Sequence, residues 1–266
     1  MTSYDLSLHK APPPRYVIRH IRLSDLGDAL TRGLQDFWVM PSHLLFLGLF
    51  YPIAGLILAV VTAGENAFYL LYPLLSGFVL IGPFAAIGLY EMSRRRERGE
   101  RPSWRDAFAV LRSPGIGSIL WLGALLAVLF IAWLVCAHML YMSFFGDEPA
   151  KTYAQLGNQI FYTAEGRRLM IVGNLVGLIF AFVALSLSVF SFPLMLDRHV
   201  GIDIAIRTSL QATRENPGVI LAWGVIVVVL LVAGMAAAFM GLALVMPVLA
   251  HATWHLYRRT VGPPLT

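Results

Sequence analysis

The chain has 266 residues, 58% of them hydrophobic and only 13% charged, and its mean hydropathy is +0.71. A water-soluble domain of this length needs more charge to cover its surface, so the apolar excess has to face lipid. The formal net charge of +5 does not indicate nucleic acid, because the basic residues stand beside apolar runs, where juxtamembrane arginines meet anionic headgroups.

Residues 1–22 are polar, with Pro12-Pro13-Pro14 and scattered basic residues. They lack the apolar stretch of a signal peptide and read as a disordered tail. Ser24–Trp38 follows as an amphipathic helix, with Leu26, Leu30, Gly33, Leu34 and Phe37 on one face and Asp25, Asp28, Arg32 and Asp36 on the other. After Pro41 come two apolar spans, about His43–Ala63 and Phe68–Tyr90. An arginine-rich loop then leads to Ser103–Leu111, where Ser103 and Asp106 have capping-box spacing.

The third span is about Gly115–Met142 and the fourth about Leu169–Leu196, joined by the loop Gly146–Arg168. Ile202–Thr213 is the third amphipathic stretch, ending near Pro217. The run Gly218–Tyr257 is forty residues, about twice what one membrane helix needs. It divides into two helices near Gly234–Gly241, and residues 260–266 form a second tail.

The fold expected is therefore an all-α membrane protein, with a single six-helix membrane domain over residues 23–259. Seventeen of the 20 basic residues fall on the side holding both ends; only Lys151, Arg167 and Arg168 fall on the other. By the positive-inside rule both termini are cytoplasmic, which in a bacterium means an inner-membrane location.

The chain also reads as one unit used three times, over about 23–93, 102–200 and 201–259. Each has an amphipathic stretch, an entry proline (Pro41, Pro114, Pro217) and a helical hairpin whose second helix carries Pro83, Pro193 or Pro247. Entry prolines suit a first helical turn, and inner prolines should kink or open the helix. The amphipathic stretches are expected to lie at the membrane interface.

Chemistry-bearing residues gather near the cytoplasmic helix ends: Glu91, Asp197, His251, His255 and His43. They are candidates for a small polar vestibule, with membrane lipid as its nearest partner and a membrane protein or second copy as a further one. His251 and His255 stand four apart, yet the segment His-Ala-Thr-Trp-His lacks the glutamate of a zinc-protease motif, so no metal is assigned. The single cysteine, Cys136, excludes an internal disulfide and any cysteine-built cluster, and no cofactor is assigned. No catalytic motif is present, so the chain is read as non-enzymatic.

Arg19–Leu34 leading into Phe37-Trp38-Val39-Met40-Pro41, then Gly82-Pro83-Phe84 and Gly88-Leu89-Tyr90-Glu91, resemble the bacterial predicted integral membrane proteins grouped as domain of unknown function 2189. The resemblance runs over about Ile18–Arg259 and implies a multi-pass membrane protein without supplying an active site. The reading is an accessory or small-solute and lipid-handling component with a cytoplasm-facing cavity. A transporter or channel is the alternative, and a haem- or metal-binding redox accessory a second.

Overall fold

The computed structural model describes residues 14–40, 73, 86–146, 150, 152–236 and 240–265. The first expected span, most of the second, Pro41, Pro83 and His43 lie outside these. Apart from one short two-stranded ribbon, the described structure is helical.

Helix α1 spans Leu23–Val39, α2 Ile87–Glu97, and a 3-10 helix Trp104–Arg112. Then come α3 (Ile116–Phe145), α4 (Tyr153–Tyr162), α5 (Ala164–Ser188), α6 (Ser191–Arg198) and α7 (Ile202–Glu215). The last two are α8 (Pro217–Ala236) and α9 (Leu242–Thr260). Among the described residues, three stretches are long and apolar enough to cross a membrane: Ile116–Phe145, Ala164–Arg198 and Pro217–Ala236. The long C-terminal run does divide at the Gly234–Gly241 region, where a Cβ on Gly241 would lie 2.8 Å from the Gly234 Cα. Two chain segments approach that closely only because neither carries a side chain there.

Burial follows one stripe on α3 and on α8. In α3 the buried residues are Ile119, Leu122, Leu126, Trp133, Ala137 and Tyr141, at helical spacing. Leu120, Trp121, Leu125, Val128, Ile131 and Val135 stand exposed between them. In water that outer face would be a large apolar patch; here it is the lipid-facing side. The Gly177 backbone in α5 packs against the Trp133 ring, and the indole N–H donates to the Pro73 carbonyl at 3.0 Å.

Pro193 opens its helix as expected. It has no N–H to give the Val189 carbonyl, and the chain turns at Val189–Phe190 between α5 and α6. A hydroxyl from α7 fills the gap: Ser209 accepts from the Phe190 N–H and donates to the Ser186 carbonyl. Pro247, in contrast, lies inside an uninterrupted α9.

All three amphipathic stretches are helical, the middle one as a 3-10 helix whose Asp106 accepts from the Ser103 N–H at 2.7 Å. Their packing goes round in order. The first, α1, packs on α9; the 3-10 helix packs on α2; α7 packs on α5 and α6. The ends of α2, α6 and α9 in turn touch one another. The α1–α9 contact is close because Gly33 leaves room: a Cβ there would lie 2.7 Å from the Val248 carbonyl and the Ala252 nitrogen.

Two expectations need correcting. Residues 14–22 are not free tail, because β1 (Tyr16–Ile18) pairs antiparallel with β2 (Val261–Pro264). The same pairing takes in most of the C-terminal tail. Ribbon hydrogen bonds give both segments partners that a polar composition alone does not reveal. On α1, Asp25 and Asp36 are buried and Leu34 is exposed, so the true inner face is Leu26, Ala29, Gly33 and Asp36. A carboxylate on that face is tolerable only because charged and polar partners meet it.

Candidate functional site

Asp36 is the centre of the polar interior. It stands on the last turn of α1, facing α2 and α9, with its side chain only 4% exposed. The Ser93 hydroxyl donates to Oδ2 at 2.5 Å, and His255 Nε2 lies 2.9 Å from the same oxygen. Arg96 pairs with Oδ1. Burial by itself raises a carboxyl pKa; here it is outweighed by the hydrogen bonds from His255 and Ser93 and by the His251 and His255 charges, so Asp36 sits below the usual carboxylate range. Ser93 also lies 2.7 Å from Nδ1 of His251, which is fully buried.

Two adjoining hollows, of about 370 and 530 Å³, open beside this cluster. They share Asp28, Arg32, Glu97 and His255 and together make one groove along α1. Most cations around it are engaged. Arg96 holds Asp36, Arg258 reaches Glu97 and Asp197, and Arg259 reaches Asp25 and Asp28. Arg19 and Arg32 make no side-chain ion pair or hydrogen bond among the described residues.

The expected site residues divide into three groups. His251 and His255 belong to the Asp36 cluster. Glu91, 3% exposed, is clasped by Arg94 and Arg95 at 2.7 and 2.8 Å. Arg94 continues to the Leu196 carbonyl and Arg95 to Asp106, so Glu91 ties α2 to α6 and to the 3-10 helix. Asp197 accepts from the Tyr257 hydroxyl at 2.8 Å and from Arg198 and Arg258, which ties α6 to α9. Glu91 and Asp197 are thus cross-links between helix ends rather than walls of the groove, and His43 lies outside the described residues. No group of three or more His, Cys, Asp or Glu among the described residues is placed to hold a metal ion.

Asp36, Ser93 and Arg96 were not singled out from sequence. Asp36 did carry a signal: Leu26, Ala29, Gly33 and Asp36 step by three, four and three residues along one face. Ser93 and Arg96 carried none, since their partners lie 57 or more residues away.

No curated protein and no solved structure matches the chain. Residues 71–197 match the family model described as a predicted integral membrane protein, domain of unknown function 2189. The match is shorter than the stretch the resemblance implied, and over those residues the chain is similar to integral membrane proteins, in keeping with its apolar helices.

Proposed function

We propose that this is a six-span, non-enzymatic inner-membrane component that handles an anionic lipid headgroup or small anionic solute in a groove facing the cytoplasm. The observation that carries the reading is Arg32, exposed on the wall common to both hollows and without an ion pair or side-chain hydrogen bond among the described residues. A free guanidinium offers a phosphate or carboxylate two parallel N–H donors. Arg19 adds a second at one end.

The three-unit architecture has support of its own. Each amphipathic helix packs on the second helix of the preceding unit, and α1 closes the round on α9. The segments Ala29-Leu30-Thr31-Arg32-Gly33-Leu34-Gln35 and Ala205-Ile206-Arg207-Thr208-Ser209-Leu210-Gln211 share alanine, leucine and glutamine at equal spacing. Ala107 follows an aspartate as Ala29 does, and Ala29, Ala107 and Ala205 are all buried. The seventeen-to-three division of basic residues supports the orientation.

Leu23, Trp38 and Val39 on α1, and Trp104, Phe108 and Leu111 on the 3-10 helix, are exposed apolar side chains suited to the headgroup boundary. On α7 no large apolar side chain is exposed, so the interfacial reading extends to two of the three stretches.

Native mass spectrometry of the detergent-extracted protein tests the function. Supplied with equal phosphatidylglycerol and phosphatidylcholine, it should retain the anionic lipid, and Arg32→Gln with Arg19→Gln should lose that preference. Free glycerol phosphate competing the lipid away would assign the site to a small solute. Equal retention of both lipids would overturn the reading.

A further inference from the structure

A line of hydrogen bonds leads from the groove into the helix bundle. Asp36 lines the groove; its Oδ2 meets Ser93 Oγ at 2.5 Å, and Ser93 Oγ meets His251 Nδ1 at 2.7 Å. Exposure falls along it, from His255 at the mouth (15%) through Asp36 (4%) to His251 (0%).

The donors can be assigned from the inventory of each group. An ionised Asp36 only accepts, so the Ser93 hydroxyl proton points at Asp36. The Ser93 oxygen must then accept from His251, which puts that ring's proton on Nδ1. Nε2 is left with a bare lone pair, and this atom is buried without a hydrogen-bond partner among the described residues. Buried polar atoms are rarely left this way, because each costs about 1–3 kcal/mol.

We propose that His251, Ser93 and Asp36 form a proton-transfer chain between the bundle interior and the groove, with His251 Nε2 as the inner terminus. A proton delivered to Nε2 by protonated water releases the Nδ1 proton to Ser93 Oγ. Ser93 passes its own hydroxyl proton to Asp36 Oδ2, and Asp36 gives it up to water in the groove. One proton enters and one leaves and no charge remains; the ring is left with its proton on Nε2, and running the steps backward restores the first tautomer. The same steps reversed carry a proton inward.

The charged and titratable groups that face the chain among the described residues are Arg96 on α2 and His255 on α9, which hold Asp36 from either side. Asp28 and Arg32 on α1 and Glu97 on α2 line the groove beyond it. Arg258 and Arg259 on α9 are turned to Glu97, Asp197, Asp25 and Asp28. Glu91 on α2 and Asp197 on α6 are occupied by their own partners. Helix α8 has no ionisable side chain.

The test is ring N–H exchange with water, by ¹⁵N nuclear magnetic resonance of the full chain in lipid nanodiscs. The Trp133 indole proton, bonded to the Pro73 carbonyl, reports opening of the bundle. The His251 Nδ1 proton should exchange on the order of 100-fold faster than it, equivalent to about 2.7 kcal/mol. Ser93→Ala and Asp36→Asn should each slow His251 to the Trp133 rate, while Ser93→Thr, which keeps the hydroxyl, retains fast exchange. If the alanine and asparagine variants do not fold, the wild-type ratio alone decides. A His251 proton as slow as that of Trp133, one residing on Nε2, or fast exchange persisting in Ser93→Ala would overturn the proposal.

Discussion

The Ser209 hydroxyl occupies the place where the Phe190 N–H would meet the Ser186 carbonyl in an unbroken helix. It accepts from the former at 3.3 Å and donates to the latter at 2.7 Å. A proline four residues beyond Val189 opens the helix, and a serine from the next amphipathic helix repairs the hydrogen bonding. Ser209→Ala leaves two buried backbone groups without partners. It should destabilise the protein by about 2 kcal/mol, lowering the thermal midpoint in detergent, whereas Ser209→Thr should recover much of the loss.

Gly33 sets how closely α1 approaches α9. The atoms a Cβ would meet are backbone at 2.7 Å, and backbone cannot rotate aside. Gly33→Val should push α1 outward at a cost of about 1–3 kcal/mol. It should also lengthen the Asp36–His255 contact and raise trypsin cleavage at Arg32. Unchanged cleavage would show that α1 is held by something else.

Asp36 gives the fold an acid limit. Its carboxyl pKa is lowered in the folded protein, so the unfolded chain binds the proton more readily. Its contribution is therefore complete above about pH 4 and is lost as pH falls through the lowered folded value. Thermal midpoints should fall below about pH 4 in the wild type. Asp36→Asn should flatten that limb while lowering stability at neutral pH, where Arg96 loses its counter-ion and Ser93 and His255 lose a charged hydrogen-bond partner. A parallel acid limb in the variant would contradict the assignment.

Glu91 holds two arginines that each reach a different neighbour. Glu91→Ala should release the connection between α2 and the 3-10 helix. Limited proteolysis in the Arg98–Arg101 segment should accelerate severalfold, with little change at Arg258.

Local chemistry made much of the fold legible. Ser103 and Asp106 carried their helix start, Gly234 and Gly241 the division of the last apolar run, and Pro193 the opened helix. The three amphipathic stretches stood out by periodicity. Asp36 was missed because hydropathy counting puts a carboxylate on the wet face, although the spacing from Leu26 through Gly33 puts it inside. The β1–β2 ribbon joins chain segments nearly 250 residues apart, and nothing within Tyr16–Ile18 announces a partner. Glu91 and Asp197 were found at the right helix ends, but loop arginines and Tyr257 decide what they do there.

The central claim is that the groove beside Asp36 opens to the cytoplasm of an inner-membrane protein. It is tested most directly by cysteine labelling in intact cells, with Cys136→Ala as the background. Thr31→Cys lies on the groove, and Asn158→Cys lies on α4 in the opposite loop. A membrane-impermeant maleimide should label Asn158→Cys in intact cells and Thr31→Cys only after the membrane is opened. Labelling of Thr31→Cys in intact cells, with Asn158→Cys protected, would contradict the account.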